Sequence, residues 1–180
     1  VGDHLVGVHV GRRAGAALDH VDDELLVQPL GDQIVAGVDD EARALGVFSA
    51  MGTMKAAKLA PDAVLLPVDF DEYRKYSRLF KAAVREIAPL VEDRGIDEIY
   101  IDLSQLPGAR DDGGRAIGAR LKDAVLAATG LQCSIGITPN KLLSKLASEL
   151  DKPDGLTLLG PQDIATRIWP LAARKLNGIG

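Results

Sequence analysis

The spacing of apolar residues predicts short helices and strands that follow one another from Glu41 onward. Glu41–Leu45 and Met51–Ala60 are predicted as two short helices separated by a turn at Gly46. Between Asp71 and Val91, apolar residues recur every three or four positions, as on one face of a helix packed against a sheet. That predicted stripe consists of Tyr76, Leu79, Phe80, Ala83, Val84 and Ile87.

The segments after Val91 alternate between strand and helix patterns. A hairpin is predicted from Leu90–Gly95 into Asp97–Leu103, and a further strand over Gln132–Thr138. In the second arm of the hairpin, Ile99 and Ile101 fall on one face, and polar side chains fall on the other. We therefore expect an apolar sheet face covered by two long helices, and an open polar face that carries acids.

Two helices and a last strand complete this pattern. A helix is predicted over Asp111–Thr129, with Gly130 as its C-terminal cap. Another is expected to start at Thr138-Pro139, with Thr138 as its N-cap, and to end at Lys152-Pro153. A short strand over Leu156–Leu159 and a helix from residue 161 to about 169 follow. The order predicts an α+β fold, mainly an antiparallel sheet with helices on one face.

Residues 1–38 show little sustained periodicity. The segment VGVHV, at residues 6–10, could form a short strand, and the chain contains no internal repeat.

Composition narrows the class of protein only slightly. The 180 residues are 47% hydrophobic and 26% charged, an ordinary globular mixture, and no stretch is long and apolar enough to span a membrane. A single cysteine, Cys133, excludes an internal disulfide, and we expect a cytoplasmic protein. The net charge of -5 argues mildly against a free-standing nucleic-acid-binding domain, because such domains are more often basic.

The adjacent acids Asp97 and Glu98, in GIDEIYIDLS at residues 95–104, are the first candidates for chemistry. Neighbours in a regular strand point to opposite faces, so both reach one site only if the hairpin is bent there. Together they could hold divalent cations that bridge the phosphates of a nucleotide, and Mg²⁺ suits such a site. On these two residues alone, a solvated turn remains the alternative.

Cations on the helix before Lys152-Pro153 are the second candidates. Lys141, Lys145 and Ser148 form a polar stripe opposite the leucines, and Lys152 follows the end of the helix. These lysines could contact phosphates. The alternative is a solvated helix face.

Taken together, these segments resemble the Y family of translesion DNA polymerases. The family carries a strand of the type S-I-D-E-A-Y-L-D, followed one strand later by G-I-x-x-N-K-x-L-A-K-x-A-S-x-x-x-K-P-x-G. Here they are GIDEIYID at 95–102 and GITPNKLLSKLASELDKPDG at 136–155, and residues 41–80 also resemble the fingers and the entry into the palm. The resemblance implies a ferredoxin-like polymerase palm over residues 69–160, partial fingers over 39–68 and the start of the thumb over 161–180.

The resemblance also implies roles for particular residues. Asp97 matches a metal-binding aspartate, Glu98 the catalytic glutamate, and Arg43 and Lys152 match residues that contact the incoming triphosphate. Gly178 and Gly180, in a truncated helix-hairpin-helix, match glycines whose backbone N–H groups contact a DNA phosphate. The implied cofactor is Mg²⁺. The implied partners are primer-template DNA and a deoxynucleoside triphosphate, with a replication sliding clamp for a full-length parent.

The sequence departs from the family pattern at both ends. The family begins with a strand like D-M-D-x-F-Y-A-S-V-E, which supplies the first metal-binding aspartate, and residues 1–38 contain no recognisable counterpart. We expect the resemblance to begin near Glu41, after either a frameshifted or recombined start or a divergent strand. The missing strand would leave a sheet edge uncovered.

The C-terminal side leads to a similar expectation, because most of the thumb and the basic DNA-gripping domain have no counterpart in the sequence. A fragment of this kind is expected to have little or no polymerase activity by itself. A palm of the nucleotidyl cyclase type and a non-catalytic accessory protein remain the alternatives.

Overall fold

A computed structural model describes residues 5–10, 40–65 and 68–176. These residues fall into two compact units. The first contains residues 5–10 and 71–176, and the second contains the described residues between 40 and 70.

The first unit is built on a five-stranded sheet. Its strands are β1 (Leu5–Val10), β2 (Val91–Asp93), β3 (Glu98–Asp102), β4 (Cys133–Thr138) and β5 (Leu156–Leu158). The strand order is β2-β3-β1-β4-β5, and every neighbouring pair is antiparallel except β4 and β5, which are parallel. The predicted mixed α+β fold is confirmed.

The central position of β1 corrects the sequence analysis. The expectation that the first strand is missing is wrong, because residues 5–10 pair with β3 on one side and with β4 on the other. The short strand foreseen at residues 6–10 is therefore the middle of the sheet. The uncovered edge expected at this place does not exist.

Among the described residues, the α-helices are α1 (Asp40–Ala44), α2 (Thr53–Leu59), α3 (Phe70–Ile87), α4 (Arg115–Thr129) and α5 (Lys141–Leu150). The helix expected after residue 160 is a 3-10 turn, Pro161–Asp163, followed by a π-helical turn, Ile164–Ile168, and a second 3-10 turn spans Ala173–Lys175. Gly130 caps α4 with a positive φ of 69°, as predicted. The N-cap of α5 is Asn140 rather than Thr138, and the Asn140 side chain accepts a hydrogen bond from Leu143 N at 2.9 Å.

Two helices cover the apolar face of the sheet, as predicted. Side chains from α3 and α4 form one core with alternate residues of β1, β3 and β4. The fully buried members with the largest side chains are Val6, Val8, Phe80, Val84, Ile99, Ile101, Leu103, Leu121, Val125 and Ile135.

The buried stripe of α3 differs from the predicted one. The buried residues are Ser77, Phe80, Lys81 and Val84, whereas Leu79 is 40% exposed. A lysine thus occupies a position that the helical repeat turns toward the sheet. The apolar pattern predicts Leu79 in the buried stripe and does not include this lysine.

The opposite face of the sheet is not fully open, because α5 packs on it. A Cβ atom added to Gly136 would lie 2.6 Å from Ser148 N and 2.7 Å from the Ala147 Cβ, and one added to Gly7 would lie 2.7 Å from the Ser144 Oγ. These two glycines are paired across β1 and β4. The absence of side chains at this pair lets the helix backbone approach the sheet directly.

The second unit contains α1 and α2 around a small core of Val47, Ala56 and Ala60. Arg43 is exposed on α1. Within the described parts of the chain, no helix is long and apolar enough to cross a membrane.

Candidate active site

The two candidate acids lie where the β2–β3 hairpin turns into β3. Asp97 is in a bend, Glu98 is the first residue of β3, and both are half-buried. The turn is closed by Arg94 N, which donates to the Glu98 carbonyl oxygen at 3.1 Å. The hairpin is therefore bent directly before Glu98, the condition under which adjacent acids could serve one site.

Glu98 is linked to Lys152 by a chain of alternating charges. Lys145, on α5, forms an ion pair with Glu98 and another with Glu149 at 3.0 Å. Lys152 pairs with the same Glu149 oxygen at 2.7 Å. The structure thus brings the predicted catalytic acid and the predicted phosphate-binding lysine into one network of ion pairs, Glu98–Lys145–Glu149–Lys152, which we call the ion-pair network.

The members of the ion-pair network are partly removed from water. The Lys145 side chain is 21% exposed and the Glu98 side chain 30% exposed. Burial by itself would lower the pKa of Lys145, but its hydrogen bonds to Glu98 and Glu149 outweigh this, and the pKa is raised. Burial likewise opposes ionisation of Glu149, yet Lys152 and Lys145 hold the pKa of that carboxyl below its usual value. Lys145 and Glu149 are therefore both charged at neutral pH.

A second pair of contacts ties α5 to the edge of the sheet. Lys141 forms an ion pair with Glu92 on β2, and its ammonium lies 5.9 Å from the centre of the Tyr100 ring. Sequence reasoning identified the lysine stripe but not its acidic partners. The i, i+4 spacing of Lys145 and Glu149 was a usable signal, whereas the pairings with β2 and β3 depend on the tertiary fold.

The register of β1 shows what stands beside Glu98. His9 is paired with Glu98 across β1 and β3, and with Ser134 across β1 and β4. The sequence of the strand, LVGVHV, contains no carboxylate. The strand that occupies the centre of the sheet therefore contributes no acidic metal ligand.

The fit of a divalent cation can be tested on these residues. Among the residues that the structure describes, no three His, Cys, Asp or Glu side chains converge as a metal site would require. Asp97 and Glu98 are two adjacent carboxylates, enough for one cation that completes its shell with water and phosphate oxygens. The described residues thus bring together fewer than three such ligands and do not by themselves form a two-metal site.

The remaining predicted residues are not members of the ion-pair network. Arg43 belongs to the second unit, on α1. Gly178 and Gly180 lie outside the described residues.

Comparison with known proteins identifies the family. A family model described as the impB/mucB/samB family matches residues 8–149. The chain belongs to this family. The match begins within β1, which corrects the expectation that the family resemblance starts near Glu41.

Individual members of the family agree with this assignment. The DNA polymerase IV of Alkalilimnicola ehrlichii is 41% identical over 152 residues, which cover 84% of this chain and 42% of that protein. The DNA polymerase IV of Streptomyces coelicolor is 40% identical over 148 residues, covering 82% of this chain and 31% of that protein. The chain thus spans less than half the length of these relatives.

A solved structure agrees with the fold. The crystal structure of a DinB family error-prone DNA polymerase from Sulfolobus solfataricus matches with a TM-score of 0.78 and 26% identity, over 98% of this chain and 53% of that one. The Y-family resemblance found in the sequence is confirmed.

Proposed function

We propose that this chain forms the palm and part of the fingers of a translesion DNA polymerase. The reaction is the template-directed transfer of a deoxynucleotide to a primer 3′-hydroxyl. The first unit is assigned to the palm up to about residue 160 and the second unit to the fingers, with the thumb starting at residue 161. The ion-pair network supports this proposal best, because it joins Glu98 and Lys152 across one face of the sheet.

Each residue of the site has a defined role in this proposal. Asp97 and Glu98 hold Mg²⁺, which supplies charge compensation at the phosphates when bound. Lys152 and Arg43 bind the triphosphate, whose several negative charges favour cationic partners. Gly178 and Gly180 contact a DNA phosphate, and a sliding clamp is a partner of the full-length parent only.

The isolated chain is proposed to be weakly active or inactive. In the family, the first strand supplies a metal-binding aspartate, whereas β1 has none and places His9 in register with Glu98. In addition, Lys145 is already paired with Glu98 and competes with a cation for that carboxylate. A loss of about 4 kcal/mol of charge stabilisation in the transition state would slow the reaction roughly a thousandfold.

Two measurements on the purified chain test the proposal. Binding of a deoxynucleoside triphosphate is expected to depend on Mg²⁺ and to weaken in Asp97→Asn. The control is Asp71→Asn, which removes a carboxylate that is 93% exposed on α3. Equal binding by both variants and the unaltered chain would contradict the assignment of Asp97.

Primer extension with Mg²⁺ tests the proposal that the isolated chain is weakly active or inactive. Little or no extension is expected, and robust templated extension would overturn the proposed impairment. A chain that binds neither nucleotide nor DNA would instead favour the non-catalytic accessory protein, a candidate supported by the absence of a carboxylate from β1.

A further inference from the structure

A buried lysine on α3 is bound to the turn that precedes the two candidate acids. Lys81 is only 8% exposed, although it is charged and faces the sheet. Its ammonium donates to both carboxylate oxygens of Asp93, at 2.9 and 2.8 Å, and to the carbonyl oxygen of Gly95 at 2.6 Å. These three acceptors match the three N–H donors of an ammonium group.

The same contacts fix the backbone of the turn. The Asp93 carboxylate also accepts a hydrogen bond from Gly95 N at 3.0 Å, so both backbone polar groups of Gly95 are held by the Lys81–Asp93 pair. Gly95 has a φ of 135°, a conformation that side-chain-bearing residues rarely adopt. The direction in which the chain leaves Gly95 determines where Asp97 and Glu98 lie.

The ion pair between Lys81 and Asp93 also offsets negative charge near the two candidate acids. Asp93, Asp97 and Glu98 place three acids within six residues. Lys81 offsets the first of these charges from the buried side. Its hydrogen bond is the main cause of the lowered pKa of Asp93, which keeps that carboxylate ionised and bound.

We propose that Lys81 is a positioning residue for the cation site, because it fixes the Asp93–Gly95 turn and thereby holds Asp97 and Glu98 together. The inference rests on the proposed function of those two acids. Lys81 does not touch the cation or the nucleotide. It acts through the turn, as groups behind metal ligands do in other proteins.

Lys122 on α4 provides a matched control. Its ammonium donates to the Cys133 carbonyl oxygen at 2.8 Å and to the Asp154 carbonyl oxygen at 2.6 Å, and it forms an ion pair with the Asp154 carboxylate. Lys122 is thus a second helix lysine, with a side chain 18% exposed, that fixes a turn in the same unit. That turn does not carry Asp97 or Glu98, so replacing Lys122 reproduces the structural loss alone.

The test measures binding of Tb³⁺, a luminescent substitute for the divalent cation, without nucleotide. Tyr100 lies two residues from Glu98 on β3 and serves as the sensitiser. Lys81→Met is expected to weaken Tb³⁺ binding roughly tenfold or more, the usual effect of removing a group behind a metal ligand. Lys122→Met is expected to leave the affinity within about twofold of that of the unaltered chain, measured at a temperature where both variants remain folded.

The outcomes separate this inference from the proposed function. If Asp97→Asn leaves the sensitised luminescence unchanged, the assignment of the cation site fails. If Asp97→Asn abolishes it while Lys81→Met and Lys122→Met bind alike, the positioning role of Lys81 fails.

A milder variant covers the case in which Lys81→Met does not fold. Asp93→Asn keeps an acceptor for Gly95 N but removes the charge that Lys81 binds, and it changes a residue whose side chain is 53% exposed. A several-fold weakening of Tb³⁺ binding is expected, with faster hydrogen exchange at the Gly95 amide. Unchanged affinity and exchange would overturn the proposal.

Discussion

Replacing Gly136 by alanine tests the close packing of α5 on the sheet. The new methyl group would lie 2.6 Å from Ser148 N and 2.7 Å from the Ala147 Cβ, and it would also overlap the Ser144 carbonyl oxygen. Ordinary carbon contacts are about 3.5–4.0 Å, so the helix must shift by roughly 1 Å. Two of these neighbours are backbone atoms, which cannot rotate away as a side chain would.

The expected cost combines two terms. Overpacking of a close-packed interior costs about 1–3 kcal/mol, and this site belongs at the upper end because backbone atoms are contacted. The shift also stretches the hydrogen bond from the Ser144 Oγ to the Gly136 carbonyl oxygen, 2.9 Å long, which contributes about 1 kcal/mol. We expect Gly136→Ala to lower the free energy of unfolding by about 3–4 kcal/mol.

Urea unfolding followed by far-UV circular dichroism measures this loss. Ser144→Ala isolates the hydrogen-bond term and is expected to cost about 1 kcal/mol. Gly52→Ala adds a methyl group where nothing lies within 4 Å, and it is expected to change stability by no more than about 0.5 kcal/mol. A Gly136→Ala loss no larger than that of Gly52→Ala would refute the packing of α5 against β4.

Two further predictions concern titratable groups. Burial raises the pKa of Cys133 to about 12, so a thiol reagent at pH 8 is expected to label it only after unfolding, and rapid labelling of the folded chain would contradict its burial. The lowered pKa of Glu149 contributes stability above its ordinary value of 4.5, and this is lost as pH falls through the lowered value. Lys145→Met is expected to remove about 1 kcal/mol at pH 7 and less at pH 3, measured by urea unfolding, and equal losses at both pH values would contradict this.

The strands and the long helices could be predicted from the sequence because their signals are local. Alternation in β3 identified the buried Ile99 and Ile101, and Gly130 marked the end of α4. The position of β1 could not be predicted in this way. Six residues carry too little periodicity, and only pairing with β3 and β4 shows that they form the centre of the sheet.

The buried face of α3 and the sheet face covered by α5 were both predicted incorrectly, because polar residues and glycines were assigned to solvent. The predicted stripe of α3 omits Lys81 because it contains apolar residues only, yet the position of Lys81 four residues after Ser77 and three before Val84 was an available signal. The face covered by α5 was expected to be open because its residues are polar or lack side chains. Gly7 and Gly136 mark that face for close helix contact rather than for solvent.

The residues of the candidate site could be predicted from the sequence, but the ion pairs that connect them could not. The residue pattern singled out Glu98 and Lys152, and the resemblance gave them roles. Their link through Lys145 and Glu149 arises only when α5 lies across the sheet. Ion pairs between residues far apart in sequence leave no local pattern. For the same reason, the bond between Lys81 and the Asp93 turn was not foreseen.

The central place of β1 also governs the order in which the sheet can form. As the chain is synthesised from its N-terminal side, residues 5–10 emerge before the other four strands, and both of their partners, at residues 98–102 and 133–138, emerge much later. Such non-local pairing is slow, because a long loop must close before any contact is gained. The β2–β3 hairpin can form locally, whereas the two halves of the sheet join only through β1. The strand that precedes the others in the chain can therefore pair only after its partners have been made, and its loss would leave two separate pairs of strands.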